Sequence, residues 1–254
     1  FKSSISHMAE AKTLDPQKYG EQVNVLSVLS YHKLQDVNKL KEALETLQKE
    51  NPSAVARVPD VIPAWLGLQA YGMKDLETAD KYMTWATQND QLQNVKKVIW
   101  RNLAKVRLAL RKYDRALVAS NNFLKDEDQP YRRADGMLDK ASILLGLGKY
   151  ADARKTAEEA LALGVEGPLM ASLKIVLGDI SYAEKKFDEA AKHYGVTAEL
   201  FVNDAELKPK ALFKAAEALD KAGRKSEASQ YRARLQKEFP DWKQDGEPLP
   251  PDAR

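Results

Sequence analysis

Cysteine is absent from the 254 residues, which excludes disulfides, thiolate zinc sites and cysteine nucleophiles. Its absence fits a reducing or an oxidising compartment equally well. Long apolar runs are missing too. No stretch approaches the roughly 18 residues that a membrane helix needs, so no membrane span is expected in this segment. Neither sign of charge dominates. Forty basic residues against 37 acidic leave a net charge of +3, too small to argue for nucleic acid by counterion release. Alternating valine- and threonine-rich stretches do not occur, so no strand is expected. The three histidines, His7, His32 and His193, are scattered and form no H-E-x-x-H or similar metal pattern. No G-x-S-x-G or comparable nucleophile signature appears. The chain is therefore read as a non-enzyme with no cofactor and no metal.

What the sequence does contain is 44% hydrophobic and 30% charged residues, the composition of a foldable chain. Within it one stretch recurs. In Gly148 to Ala160, Tyr150 is followed three residues later by Ala153, and Ala157 and Ala160 share the helical face behind it. The same large-then-small pair returns as Leu40/Ala43, Leu76/Ala79, Tyr113/Ala116, Phe187/Ala190 and Lys225/Ala228, at spacings of 36, 37, 37, 37 and 38. Six alanines in phase predict a helical repeat array, in which no single helix pair buries enough core alone and each stacks on the next. A second small series, Gly67, Ala104, Ala141, Gly178 and Ala216, falls on the preceding helices. Small side chains at both places let helices cross closely, since interaxial distances are typically about 8–10 Å.

These phases divide the chain. Residues 1–16 read as the second half of a repeat, with Phe1 and Ser4 in the large and small positions and Pro16 stopping the helix; an unrelated helix packed on the array is the alternative. Residues 17–241 read as the array proper, with units at about 17–52, 60–94, 95–130, 131–167, 168–207 and 208–241. The first unit is the least regular, because Tyr31 stands where later copies carry glycine or alanine. Residues 242–254, with three prolines and a glycine, form an extended tail, and Trp242 either folds back on the last helices or frays. The Gly146-Leu147-Gly148-Lys149 run is no phosphate loop. Ile143 replaces its earlier glycine and Tyr150 its Ser or Thr, so the run reads as a turn between paired helices. Starting at Phe1, the chain reads as a mature or truncated piece of something longer.

The pattern resembles the tetratricopeptide repeat. Leu66-Gly67 with Ala79 and Ala86, Trp100/Leu103/Ala104 with Ala116, and Leu177-Gly178/Phe187/Ala190 carry that family's motif best; Ala153/Ala160 and Ala216/Ala228/Pro240 carry it less fully. The period, about 37 rather than 34, departs from it. The resemblance implies an all-α, right-handed α-solenoid of about six helix pairs with an N-terminal half-repeat. It also implies a concave groove lined by the first helices. On that implication the groove includes Val61, Ala64, Leu68 and Tyr71, then Val98, Arg101, Asn102 and Lys105, then Asp135, Leu138, Asp139 and Ser142, then Ser172, Ile175, Asp179 and Tyr182. It would run from apolar and basic towards acidic, fixing the direction of a bound peptide. An ordinary solvated face is the alternative at each position. The basic and Asn pattern with which chaperone-binding members hold a C-terminal carboxylate is absent.

The function implied is a scaffold that holds a protein or peptide partner. Two alternatives remain. Lys221-Ala222-Gly223-Arg224 also looks like a turn of the RNA-binding pentatricopeptide repeats, and the array could serve as a structural subunit or homo-oligomerisation module. The last unit, ending in Phe239-Pro240-Asp241, is similar to units of bacterial cell-envelope repeat proteins, which favours a periplasmic or membrane-tethered setting over a cytoplasmic one.

Overall fold

The computed structural model describes residues 2–88, 93–125, 127–200 and 204–243. Among these every regular element is helical. Phe1, residues 89–92 of the polar linker, and the tail from residue 244 onward lie outside the described residues. No described helix is long and apolar enough to cross a membrane.

Two compact units divide the chain, Phe1–Leu110 and Arg111–Arg254. The first holds α1 (Lys2–Leu14), α2 (Pro16–Lys33), α3 (Val37–Glu50), a 3-10 turn (Pro52–Arg57), α4 (Val61–Gly72), α5 (Leu76–Thr87) and α6 (Gln93–Ala109). Pro16 starts α2 at a position where its missing N–H costs nothing, and the Asp15 carboxylate accepts from Lys18 N. Asp36 and Asp75 cap α3 and α5 in the same way. Val28, Leu40, Leu44, Leu47, Leu66 and Tyr82 are fully enclosed in this unit's core. Across α5 and α6 a buried ion pair joins Arg107 Nε to Asp80 Oδ1 at 2.8 Å, and a second guanidinium nitrogen donates to Thr84 Oγ1 at 2.8 Å.

The second unit holds α7 (Tyr113–Leu124), α8 (Pro130–Gly146), α9 (Tyr150–Ala162), α10 (Gly167–Ala183), α11 (Phe187–Leu200), α12 (Leu207–Lys221) and α13 (Lys225–Glu238). Each helix packs on the next, and the first helices also touch one another, α8 on α10 and α10 on α12. The alanine column is where its steric logic requires. Ala43 is buried, and Ala79, Ala116, Ala153, Ala190 and Ala228 are fully enclosed. Gly178 shows why the second series stays small: a Cβ there would enter the ring of Tyr194, as one on Gly67 would strike Met83. Trp242 folds back, its ring 5.6 Å from that of Phe213 on α12.

The repeat is most regular in its turns. Gln35, Lys74, Arg111, Gly148, Lys185 and Gly223 all have positive φ, spaced by 39, 37, 37, 37 and 38 residues. In five of these turns the next residue's N–H bonds a carbonyl five residues back, as Asp75 N does to Ala70 O and Lys186 N to Ser181 O. That double closure is the Schellman end of a helix. The first spacing, 39 rather than 36, shifts the reading of the first unit. Leu40 stands at the position of Ala79, and Val28, not Tyr31, at that of Gly67. Both are fully buried, so two branched side chains fill a crossing that later units close with small ones. Ala43 lies one helical turn further on.

Candidate functional site

The first helices form a layer in each unit, and the expected groove residues fall on it unevenly. In the first unit, α4 packs on α6, and His32 of α2 meets Trp65 of α4 edge to face at 5.3 Å. Leu68 and Tyr71 are half-buried on α4, where Val61 is exposed and Ala64 is buried. On α6, Val98 is 42% exposed while Arg101, Asn102 and Lys105 are half-buried. The Asn102 side chain turns back on its own helix, donating to Val98 O at 2.9 Å. Arg101 and Lys105 both interact within the chain.

In the second unit, Asp135, Leu138, Asp139 and Ser142 are half-buried on α8, with Ser142 Oγ donating to Leu138 O. Asp135 and Asp139 likewise interact within the chain. On α10 the expectation is corrected at two positions. Ile175 and Tyr182 are core residues, 5% and 3% exposed, in the cluster with Tyr194, Ala215, Ala218 and Leu219. Helices α11 and α12 pack over that face, and the Tyr182 ring sits edge-on to Phe187 at 5.2 Å. Ser172 and Asp179 remain half-buried. Asp179 is nonetheless engaged: its Oδ1 accepts from Tyr194 Oη at 2.6 Å and from Lys214 Nζ at 2.8 Å. Burial, with the neighbouring Asp179 charge, pushes the Tyr194 phenol well above its usual range and keeps it a donor. Neither Lys214 nor Tyr194 was legible as a partner of Asp179, although Lys214 lies 35 residues on, close to one repeat.

The Gly146-Leu147-Gly148-Lys149 run is a turn, as expected. Gly148 has φ of +72°, and the Tyr113 ring occupies the space beside Gly146. Among the described residues, no group of three or more histidine or acidic side chains is gathered as a metal site would need.

Layered, antiparallel helix pairs with one recurring turn define an α-helical repeat protein. The tetratricopeptide repeat family model matches residues 138–201, from within α8 to just past α11. Solved structures share the helical-repeat fold beyond the matched segment. PilW, a widely conserved type IV pilus biogenesis factor, is 16% identical with a TM-score of 0.59, over 88% of this chain and 95% of its own. The apo quorum sensor NprR from B. thuringiensis is 17% identical with a TM-score of 0.61, over 95% of this chain and 77% of its own. A tetratricopeptide repeat protein from Parabacteroides merdae is 15% identical with a TM-score of 0.59, over 86% and 79%. No curated protein matches the sequence. The tetratricopeptide fold suggests a protein–protein interaction scaffold, and its family is generally non-enzymatic.

Proposed function

We propose that the chain is a non-catalytic scaffold that holds a protein or peptide partner on its first-helix layers. The observation that carries this reading is the row of apolar side chains left incompletely covered on those helices. Val61 and Val98 are exposed, and Leu68, Tyr71 and Leu138 are half-buried, on helices rather than loops. Apolar area of this kind on ordered elements favours association, because little further ordering is needed on binding. Asp135 and Asp139 place acidic groups beside Leu138 in the second unit, and Arg101 and Lys105 place basic groups beside Val98 in the first.

A photo-crosslinking amino acid placed at Leu68 or Leu138, and at Glu42 or Lys155 on second helices as controls, tests the reading in cells that express the chain. Adducts to one recurring protein from Leu68 and Leu138, absent from Glu42 and Lys155, are the expected result. Equal adducts from all four sites would remove the first-helix layer from consideration. RNA recovered with the chain would favour the pentatricopeptide-like alternative, and adducts to a second copy would favour an oligomerisation module.

A further inference from the structure

The outward stripe of α12, the last first helix described, consists of Leu207, Lys210, Phe213, Glu217 and Asp220. All five are half-buried and three or four residues apart, so they share one face. The charges on this stripe are engaged. Arg232 of α13 donates to Glu217 at 3.2 Å and also to Asp220, and Lys210 interacts within the chain. Phe213 is the aromatic member, and the Trp242 ring lies against it at 5.6 Å, tilted by 43°.

The repeat shows what kind of place this is. The spacing of 38 that relates Gly178 to Ala216 also relates Ile175 to Phe213. On α10, Ile175 is 5% exposed, in a cluster with Ala215, Ala218 and Leu219 of the next first helix. Among the described residues no helix follows α13, and one indole covers Phe213 where α10 receives a whole helix. That indole is held by little. Phe239 is packed on Ala198, Ala211 and Leu212, but Pro240 and Asp241 beyond it are exposed. Trp242 is itself half-buried, and its backbone N–H donates to Phe239 O at 3.1 Å. Moving Trp242 away opens this short turn and leaves α12 and α13 packed on each other.

We infer that the Phe213 face of α12 seats an aromatic side chain of the partner protein, and that Trp242 is its competitor within the chain. This rests on the scaffold reading above and adds the anchor that the partner carries. A ring suits the place, because aromatic pairs favour offset and tilted contacts such as the one Trp242 makes. Two basic groups, Lys210 and Arg232, match the two acids in number, so the stripe has no net charge to draw an ion. Competition lowers the apparent affinity in proportion to the open fraction. With Trp242 seated about nine-tenths of the time, the partner binds about tenfold more weakly than to an open face.

A labelled peptide with the sequence of residues 240–244, Pro-Asp-Trp-Lys-Gln, and a copy with Ala in place of Trp test this on the full chain. Fluorescence anisotropy should show the Trp peptide binding Trp242→Ala at least about tenfold tighter than the parent, and the Ala copy binding neither. Adding Phe213→Leu, which keeps an apolar side chain but removes the ring, should weaken the Trp peptide roughly fivefold. Trp242→Gln is the second variant, and its result decides the matter if Trp242→Ala lowers the melting temperature. Equal affinity for parent and variants, no binding to either variant, or equal binding of the two peptides would overturn the inference. So would self-association of the parent that Trp242→Ala abolishes, since the seat would then belong to a second copy. In cells, adducts from Leu138 should increase in Trp242→Ala. An unchanged yield would remove the competition and leave the scaffold reading intact, whereas a parent without adducts from Leu68 or Leu138 would remove the scaffold reading itself.

Discussion

Gly148 and Lys185 stand at the same point of two successive turns, with φ of +72° and +62°, yet only one is glycine. A left-handed conformation costs an ordinary L-residue roughly 1–2 kcal/mol and costs glycine almost nothing. A Cβ added at Gly148 would meet nothing within 4 Å, so Gly148→Ala tests the backbone alone. It should lower stability by about 1 kcal/mol. Lys185→Gly should raise it by up to about 1 kcal/mol, less the extra freedom that glycine gives the unfolded chain. Urea unfolding of both variants checks the pair, and a less stable Lys185→Gly would show that its side chain outweighs the strain. The same positions explain what could be read in advance. The alanine column was legible because a steric limit acts on side-chain size, which a sequence displays. The turn was legible at Gly148, but its recurrence was not, because Gln35, Lys74, Arg111 and Lys185 hide a conformation that glycine would have announced.

Between elements, the chain is laced by ion pairs whose partners lie nearly one repeat apart. Arg154 on α9 makes several of these contacts. It reaches Glu184 at 2.7 Å and Glu189 at 2.7 Å, and Lys186 also meets Glu184 at 3.0 Å. Burial pushes the Glu184 carboxyl up, but hydrogen bonds from Arg154 and Lys186 outweigh it, and the net shift is downward. Glu189 is pushed up by burial and drawn further down by the Arg154 charge and the Ser181 hydroxyl. Carboxylates with lowered folded values stabilise the fold above the ordinary glutamate value of 4.5, and that contribution is lost as pH falls through the folded values. Urea midpoints should therefore drop between about pH 5 and 3.5 through these carboxylates, after an earlier decline below about pH 6.5 from His32 and His193, whose burial disfavours their protonated forms in the folded chain. Arg154→Met should be the less stable at neutral pH and lose less on acidification, so that the two proteins converge at low pH. A constant gap between them across that range would deny Arg154 the role. Such pairs also mark where sequence reasoning about the surface fails. Asp179 looks like a free acid on a first helix until Lys214 and Tyr194 are seen to hold it, and Ile175 and Tyr182 look like surface until α11 and α12 cover them.

For the molecule as a whole, the all-α repeat architecture was legible because a period near 37 persists through the chain, while the register of the first unit was not. There the spacing widens to 39, and Val28 and Leu40 replace the small residues that mark every later crossing, so the pattern slid by one helical turn. Unevenness of this kind has a thermodynamic consequence. In an array held by nearest neighbours, each helix is as secure as the apolar surface it shares with adjacent ones. Within the second unit, α10 buries residues along most of its length, packing against α8, α9, α11 and α12. Helix α13 buries Ala228 alone and packs on α12. Both are regular α-helices, so the difference in burial should decide how often each opens. Native-state hydrogen exchange should find the α10 amides among the slowest of the unit and those of α13 at least about a hundredfold faster. Gly178→Ala, which drives a methyl group into the Tyr194 ring, should narrow that gap by accelerating α10 and leaving α13 nearly unchanged, because the strain falls on the α10–α11 crossing. Uniform protection across α10 and α13 in the parent chain would mean that the unit opens as one body, and that burial helix by helix does not govern its stability.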